Sequence, residues 1–167
     1  MNKKWVISIL IILILITGSI TLYILIKESP KKEELTKPQV QDHNITEEFF
    51  NYILNDLGAY KLHNAPLSSS PPKIKFVVDG EIYTSEVKEG NISTVKTDTN
   101  EEDIKFTTTT SEIINAVNSP NMKEYFKSSL NDGKITMELK ASQTELLSKG
   151  YLSIYSELTS QKSTTEN

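Results

Sequence analysis

The side chains that could carry out metal or acid–base chemistry are few and stand apart in this sequence. His43 and His63 are distant from each other, and only Asp42 and Glu47 lie near His43 at a spacing that a metal could use. We interpret both histidines as surface or loop residues. The acidic run at 101–103 lacks the alternating oxygen ligands of a calcium-binding loop, so it indicates the solvated start of a strand.

Known catalytic fingerprints are missing as well. Cysteine is absent, which excludes disulfides, thiolate metal ligands and cysteine nucleophiles. The sequence contains no P-loop, no dinucleotide fingerprint and no spacing that suggests a serine–histidine–aspartate triad. We therefore predict a protein that is not an enzyme and that uses no metal and no cofactor.

The charge balance argues against a nucleic-acid partner. After residue 26 the chain holds 16 basic and 22 acidic residues, a formal charge of −6, and every basic residue is lysine. A nucleic-acid-binding protein usually presents a basic patch, often with arginines that make bidentate contacts. We expect no nucleic acid among the partners.

A long uncharged stretch lies near the N-terminus. Residues 5–26 (WVISILIILILITGSITLYILI) contain no charged side chain, and about 20 apolar residues in helical form cross the hydrocarbon core of a bilayer. We interpret the stretch as a single transmembrane anchor, which makes membrane lipid the first partner. A cleaved signal peptide is the alternative, since Lys3 and Lys4 precede the stretch and small residues occupy 17–19. The length of the uncharged run favours the anchor.

The orientation of this anchor is open. Several lysines follow it within residues 27–37, and the positive-inside rule would place that end in the cytoplasm. A short N-terminal tail before a long soluble part is instead typical of a signal-anchor whose domain lies outside. We expect an extracytoplasmic domain at 44–158, after a charged flexible linker at 27–43 and before a disordered polar tail at 159–167.

Hydrophobic periodicity predicts the elements of that domain. Apolar residues repeat with helical spacing after a potential cap at Asn44, and the pattern stops at Gly58. Alternating patterns predict strands at 73–79, 81–88, 92–97, 103–109 and 134–140. Further helices are predicted from Thr110 or Ser111 to Pro120, over 122–130, and over 142–158 with a break near Gly150.

These elements make an α+β fold, in which helices cover a mainly antiparallel five-stranded sheet on one face. The last strand has the clearest alternation, and its residues Ile135, Met137 and Leu139 are expected to point inward. Asp79-Gly80 is a strong signal for a hairpin turn between the first two strands.

Three segments resemble those of one known family. They are the hairpin IKFVVDGEIYTSEVKEGNIS, the acidic-led strand and helix EEDIKFTTTTSEIINAVNSP, and the strand LNDGKITMELKASQTELL before the closing helix. Across these segments, which span 73–158, the chain resembles the sterol carrier protein 2 family of lipid-binding domains. The resemblance implies a sheet with helices closing over an apolar tunnel, which holds an acyl chain or a sterol-like ligand.

The same resemblance implies which side chains line that tunnel. The candidates are Phe76, Val78, Ile104, Phe106, Ile113, Ile114, Tyr125, Phe126, Met137, Leu146 and Leu147. Ordinary core packing is the alternative for these residues, because a domain of this size needs many large apolar side chains merely to fold.

Two functions are compatible with these patterns. The first is a membrane-tethered, non-enzymatic module that binds or transfers lipid. The second is a structural or protein-interaction module of the cell envelope, with a filled core, no ligand and an envelope protein as its partner.

Overall fold

The computed structural model of the protein describes residues 30–40, 44–99 and 101–159. The strands are β1 (Lys73–Val78), β2 (Glu81–Lys88), β3 (Asn91–Val95), β4 (Ile104–Thr108) and β5 (Thr136–Leu139). The helices are α1 (Glu47–Asp56), α2 (Thr110–Asn118), α3 (Met122–Asn131), α4 (Gln143–Ser148) and α5 (Tyr151–Thr159), with a turn of 3-10 helix at Ala59–Lys61.

Some of the predictions concern parts of the chain beyond these ranges. The predicted anchor at 5–26 lies outside the described residues, as do residues 27–29 and 41–43 of the predicted linker, with Asp42 and His43, and 160–167 of the predicted tail. Within the described ranges, no helix has the length and hydropathy that crossing a bilayer requires.

The strands form one mixed sheet in the order β3-β2-β1-β4-β5. β1 pairs antiparallel with β2 and parallel with β4, and the outer pairs β2–β3 and β4–β5 are antiparallel. The α+β class and the five strands agree with the sequence analysis. The pair is parallel because β4 begins at the same end of the sheet as β1, where Ile74 is in register with Ile104.

Two tight turns set the register of the first three strands. Asp79 and Gly80 have φ values of 50° and 89°, and Glu89 and Gly90 have φ values of 54° and 87°. Positive φ at both central residues is what a two-residue type I′ hairpin needs. The predicted Asp79-Gly80 hairpin is therefore confirmed.

Two helices start at positions other than those predicted. α1 begins after Thr46, whose extended backbone (φ −117°, ψ 172°) makes it the N-cap, so the predicted cap Asn44 lies too early in the chain. α2 begins after Thr109, whose hydroxyl accepts a hydrogen bond from the backbone N–H of Glu112 at 3.3 Å. The predicted caps of this helix, Thr110 and Ser111, lie inside it.

The helices cover one face of the sheet and bury an aromatic row there. The row runs from Tyr83 through Phe50, Phe76 and Phe106 to Phe126, and its neighbouring ring centroids are between 4.4 Å and 5.4 Å apart. Ring pairs at such distances make favourable aromatic contacts. The row joins α1 and α3 to the three central strands.

The opposite face of the sheet is polar and its charges are paired. Lys75 on β1 lies 2.8 Å from Asp98 and 2.9 Å from Glu102, both in the segment that connects β3 to β4. Lys105 on β4 lies 2.6 Å from Glu138 on β5. This face therefore needs no covering layer of helices.

Residues 30–40, named the strap from here on, lie against the domain. Nζ of Lys32 is 2.6 Å from Oδ1 of Asp56, and the side-chain amide of Asn55 donates to the backbone carbonyl of Glu33 at 2.7 Å. Pro38 is buried. These contacts attach the strap to α1.

Candidate functional site

The tunnel candidates occupy three kinds of position. Buried in the core are Phe76, Val78, Ile104, Phe106, Ile113, Phe126 and Leu146. Partly buried against that core are Ile114, Tyr125 and Met137. Leu147 is half exposed. Of all these candidates, Ile104, Leu146 and Leu147 border an open groove.

This groove has a volume of about 430 Å³ and lies between β5 and the α4–α5 pair. Its floor is formed by Ile104, Leu146 and Tyr151, which are at most 7% exposed. Ala141, which is partly buried, and Gln143, which is exposed, also line it. None of the described residues that line the groove carries a charge.

Four large side chains form the rim of the groove: Leu139, Leu147, Leu152 and Tyr155. They are between 41% and 57% exposed. Among the described residues only six large hydrophobic side chains are exposed, and the rim accounts for four of them. A concentration of exposed apolar surface in one place, rather than scattered single residues, is typical of an interaction site.

The groove exists because β5 is an edge strand that the closing helices leave uncovered. Ile135 just before β5 is fully buried, Met137 is partly buried and Leu139 is 49% exposed. Leu139 pairs in register with buried Ile104, so it points to the helix-covered side of the sheet. The predicted inward orientation of Leu139 is therefore confirmed, but the side chain stays half exposed because α4 and α5 do not reach over it.

Local sequence determines where these two helices begin and break. Ser142 caps α4 by accepting a hydrogen bond from the backbone N–H of Glu145 at 3.2 Å. Gly150 separates α4 from α5 with a φ of 87°, a conformation that favours glycine, so the predicted break is confirmed. The two short helices can therefore form a bent pair instead of one straight helix.

A buried carboxylate holds the base of this helix pair. Oδ1 of Asp103 accepts a hydrogen bond from Nζ of Lys149 at 2.7 Å, and Oδ2 accepts one from the Tyr151 hydroxyl at 3.0 Å. Oδ2 also accepts from the backbone N–H of Lys73 at 2.8 Å. Lys149 has a second partner, Glu145, at 2.9 Å. Asp103 therefore joins the starts of β1 and β4 to the junction between α4 and α5.

The pKa shifts at this cluster indicate a structural role. Burial alone would lower the pKa of Lys149, but its hydrogen bonds with Asp103 and Glu145 outweigh burial and raise that pKa above the usual value. Burial, together with the negative charge of Asp103, raises the pKa of Tyr151 well above its usual value. Near neutral pH the lysine therefore stays charged and the phenol stays neutral.

The acidic run at 101–103 differs from its prediction. Glu101 lies 3.1 Å from Nζ of Lys73, and Glu102 lies 2.9 Å from Nζ of Lys75. Asp103 is 3% exposed, so the prediction of a solvated strand start is wrong for this residue. The reason is that lysines from β1 and from the α4–α5 junction reach these carboxylates from outside the local sequence.

His63 is exposed, and its Nδ1 lies 3.0 Å from the carbonyl oxygen of Asn64. In the part of the chain that the structure describes, no three histidine or acidic side chains come together as a metal site would need.

Most of the groove lies outside the set of residues that the sequence analysis singled out. Tyr151, Leu152 and Tyr155 on α5 were missed, although a signal for them was present. Tyr151 and Ile154 form the buried stripe of α5, while Leu152 and Tyr155 add a second apolar stripe beside it. When the apolar surface of a helix is wider than the face that it buries in the core, the remaining apolar side chains are available to a ligand or partner.

Comparisons with known proteins give a limited likeness. A solved structure described as "UbiJ-SCP2 Ubiquinone synthesis protein" is similar over 66% of this chain and 87% of that chain, with a TM-score of 0.38 and 10% sequence identity. Those two values are too low for the likeness to indicate a ligand or an activity. No family model and no curated protein matches the chain.

Proposed function

We propose that this protein is a membrane-tethered, non-enzymatic module that holds the apolar part of a lipid in the groove between β5 and α4–α5. The observation that carries the proposal is the groove itself, an uncharged space of about 430 Å³ with exposed apolar side chains around its opening. Ligand pockets in proteins commonly measure about 300–1,000 Å³ and have mostly apolar walls.

The energetics favour an acyl chain or a sterol-like body as the occupant. Each methylene that leaves water contributes about 0.8 kcal/mol, so a few methylenes against Leu146, Leu152 and Tyr155 give useful affinity. The groove offers one side-chain amide, from Gln143, and no charged group among its described lining residues. A lipid headgroup would therefore remain outside in water, and the groove would bind the tail.

The tether belongs to the same proposal. The uncharged stretch at 5–26 would keep the domain beside a bilayer, outside the cytoplasm, where lipid is always near. Confining a binding site close to its ligand raises the effective concentration without any new contact. Modest affinity in the groove would then be sufficient for occupancy.

A photocrosslinking experiment on the full chain tests the proposal. The protein is reconstituted into phosphatidylcholine vesicles that contain a trace of a lipid with a diazirine on its acyl chain, or of a diazirine sterol. After irradiation, the crosslinked peptides are mapped by mass spectrometry. We expect adducts within residues 139–155, where the groove lining is concentrated.

A variant that fills the groove sharpens this test. In Ala141→Phe the ring would displace at least two methylenes, about 1.6 kcal/mol, and so lower the adduct yield roughly tenfold. Ala65→Phe is the matched control, since Ala65 is a partly exposed alanine in the loop before β1. The proposal fails if residues 139–155 acquire no adducts in the unaltered chain, or if both variants lower the yield equally.

The filled interior favours a second candidate function, a protein-interaction module of the cell envelope. The aromatic row packs ring against ring in the space where the resemblance implied a ligand. In this case the groove would receive apolar side chains of an envelope protein. A single dominant protein crosslinked to residues 139–155, without lipid adducts there, would favour this candidate over the first.

A further inference from the structure

The groove lies at one particular end of the sheet. Ile104 is the first residue of β4 and Leu139 is the last residue of β5, and these two pair in register. The helices α4 and α5 follow beyond Leu139 at the same end. The rim is therefore located where β1 and β4 begin.

The strap starts at this same end. Its first residue, Pro30, lies against Gly90 in the turn between β2 and β3, so closely that a Cβ added to Gly90 would be 2.8 Å from the Cβ of Pro30. Near the start of β1, Lys73 pairs with Glu86, which places the β2–β3 turn beyond that end of the sheet. Pro30 and the groove are then separated across the sheet by three or four strand spacings, about 15–20 Å.

Contacts along the strap fix this placement. The Lys32–Asp56 ion pair at 2.6 Å and the Asn55–Glu33 hydrogen bond at 2.7 Å join the strap to α1 close behind Pro30. The direction from which the chain reaches the domain is therefore part of the folded structure.

Little chain separates the strap from the uncharged stretch. Only residues 27–29 lie between Ile26 and Pro30. Even fully extended, the chain from Ile26 to Pro30 spans at most about 14 Å. If residues 5–26 lie in a bilayer, Pro30 and the β2–β3 turn at this end of the sheet lie within about 14 Å of the point where the chain leaves it.

From this placement we infer that the domain rests on the bilayer that holds its anchor. The end of the sheet that carries the groove faces this bilayer, so that the rim contacts lipid directly. The inference rests on the proposed tether and names the partner of the rim as the bilayer surface. It gives the groove a direct path to lipid, because the opening faces the acyl chains and the domain need not turn over to load.

The chemistry of the rim fits a lipid surface. Leucines favour the apolar side of the interface, and tyrosine is enriched where one end of a side chain is apolar and the other is wet. Two carboxylates close to rim residues in the chain are paired, Glu138 with Lys140 at 2.7 Å and Glu145 with Lys149 at 2.9 Å. These two pairs add little unbalanced negative charge beside the rim.

Fluorescence quenching in vesicles tests the orientation. The chain has no cysteine, so a single introduced cysteine can carry an environment-sensitive fluorophore. Leu152→Cys places it on the rim, and Asp132→Cys places it in the exposed turn before β5, at the opposite end of the sheet. The full chain is reconstituted into phosphatidylcholine vesicles with nitroxide-labelled lipids. We expect several-fold stronger quenching at 152 than at 132, and equal or reversed quenching overturns the inference.

A matched pair of variants separates docking from general effects of charge. With the fluorophore on Leu147→Cys, Leu152→Lys should reduce the quenching, whereas Thr136→Lys should not. Thr136 is also exposed, but it is the first residue of β5 and lies at the end of the sheet opposite the groove. Equal effects of the two lysines contradict docking by the rim.

The two proposals can fail independently. Acyl-chain adducts in residues 139–155 without preferential quenching at 152 would overturn the docking and leave lipid binding standing. Strong quenching at 152 with adducts that Ala141→Phe does not reduce would support the docking and overturn lipid binding in the groove.

Discussion

At the scale of single residues, the carboxylate of Asp103 positions the closing helices α4 and α5. The side chain of Asp103 accepts hydrogen bonds from Lys149, Tyr151 and the backbone of Lys73. Its backbone carbonyl accepts from the N–H groups of Lys140 and Ala141 at 2.8 Å and 3.1 Å, just after β5. The floor and one side of the groove are therefore attached to the same residue.

We expect Asp103→Ala to destabilise the fold strongly. Breaking a buried ion pair costs about 3–5 kcal/mol, and the remaining partner of Lys149, Glu145, is 44% exposed and compensates only part of the charge. The measurement is urea unfolding of the full chain in a mild non-ionic detergent, followed by circular dichroism. In the double variant Asp103→Ala/Lys149→Met no such charge remains, so part of the loss should be recovered. A double variant less stable than the single one would contradict this account.

At the scale of elements, the strap and the β2–β3 turn depend on each other. Gly90 has a left-handed backbone conformation and also lacks the Cβ that would collide with Pro30. Gly80 in the β1–β2 turn has the same backbone conformation, with φ of 89°, but open space where its Cβ would be. These two glycines allow the contact with the strap to be measured separately from turn strain.

We expect Gly90→Ala to be more destabilising than Gly80→Ala. Both alanines would meet the cost of a left-handed conformation, about 1–2 kcal/mol, and Gly90→Ala would in addition push Pro30 away. Hydrogen exchange of residues 30–40 measures the second effect, because it should accelerate in Gly90→Ala alone. Similar exchange in the two variants would mean that the strap is not held at this turn.

At the scale of the whole molecule, paired charges set the pH range of stability. Hydrogen bonds from Lys105 and Lys140 lower the pKa of Glu138 to about 2. Burial alone would raise the pKa of Glu102, but hydrogen bonding, chiefly with Lys75, outweighs burial and lowers that pKa. In return, the pKa of Lys75 is raised, because its hydrogen bonds to Asp98 and Glu102 outweigh burial.

These shifts predict a stability plateau with losses on both sides. A carboxylate with a lowered pKa stabilises the fold fully above its unfolded pKa, about 4.3 for glutamate, and loses that effect as the pH falls toward 2. A lysine with a raised pKa stabilises below about 10.4 and loses that effect as the pH rises further. The urea midpoint should therefore be flat from about pH 5 to about pH 10 and fall outside that range. Glu138→Gln should weaken the loss in acid, and a midpoint that rises below pH 4 would contradict the assignment.

Much of the fold was predictable because it depends on local signals. Alternating side chains predicted the two strands of the first hairpin, and the Asp79-Gly80 turn between them has the conformation that this pair of residues favours. Gly150 likewise marked the break between the last two helices. The helix caps at Thr46 and Thr109 were missed because neighbouring polar residues are equally able to cap, and only the backbone course selects one of them.

The sequence by itself determined the α+β class, the main turns and the uncharged stretch at 5–26, since each is a property of consecutive residues. Only the tertiary structure decided which apolar residues would be core and which would border a groove. Leu139 and Leu152 have the alternation and spacing of core residues, yet their exposure depends on where α4 and α5 come to rest. That position is determined by the contact between Asp103 and Lys149, 46 residues apart, and no local pattern reports a contact over such a separation.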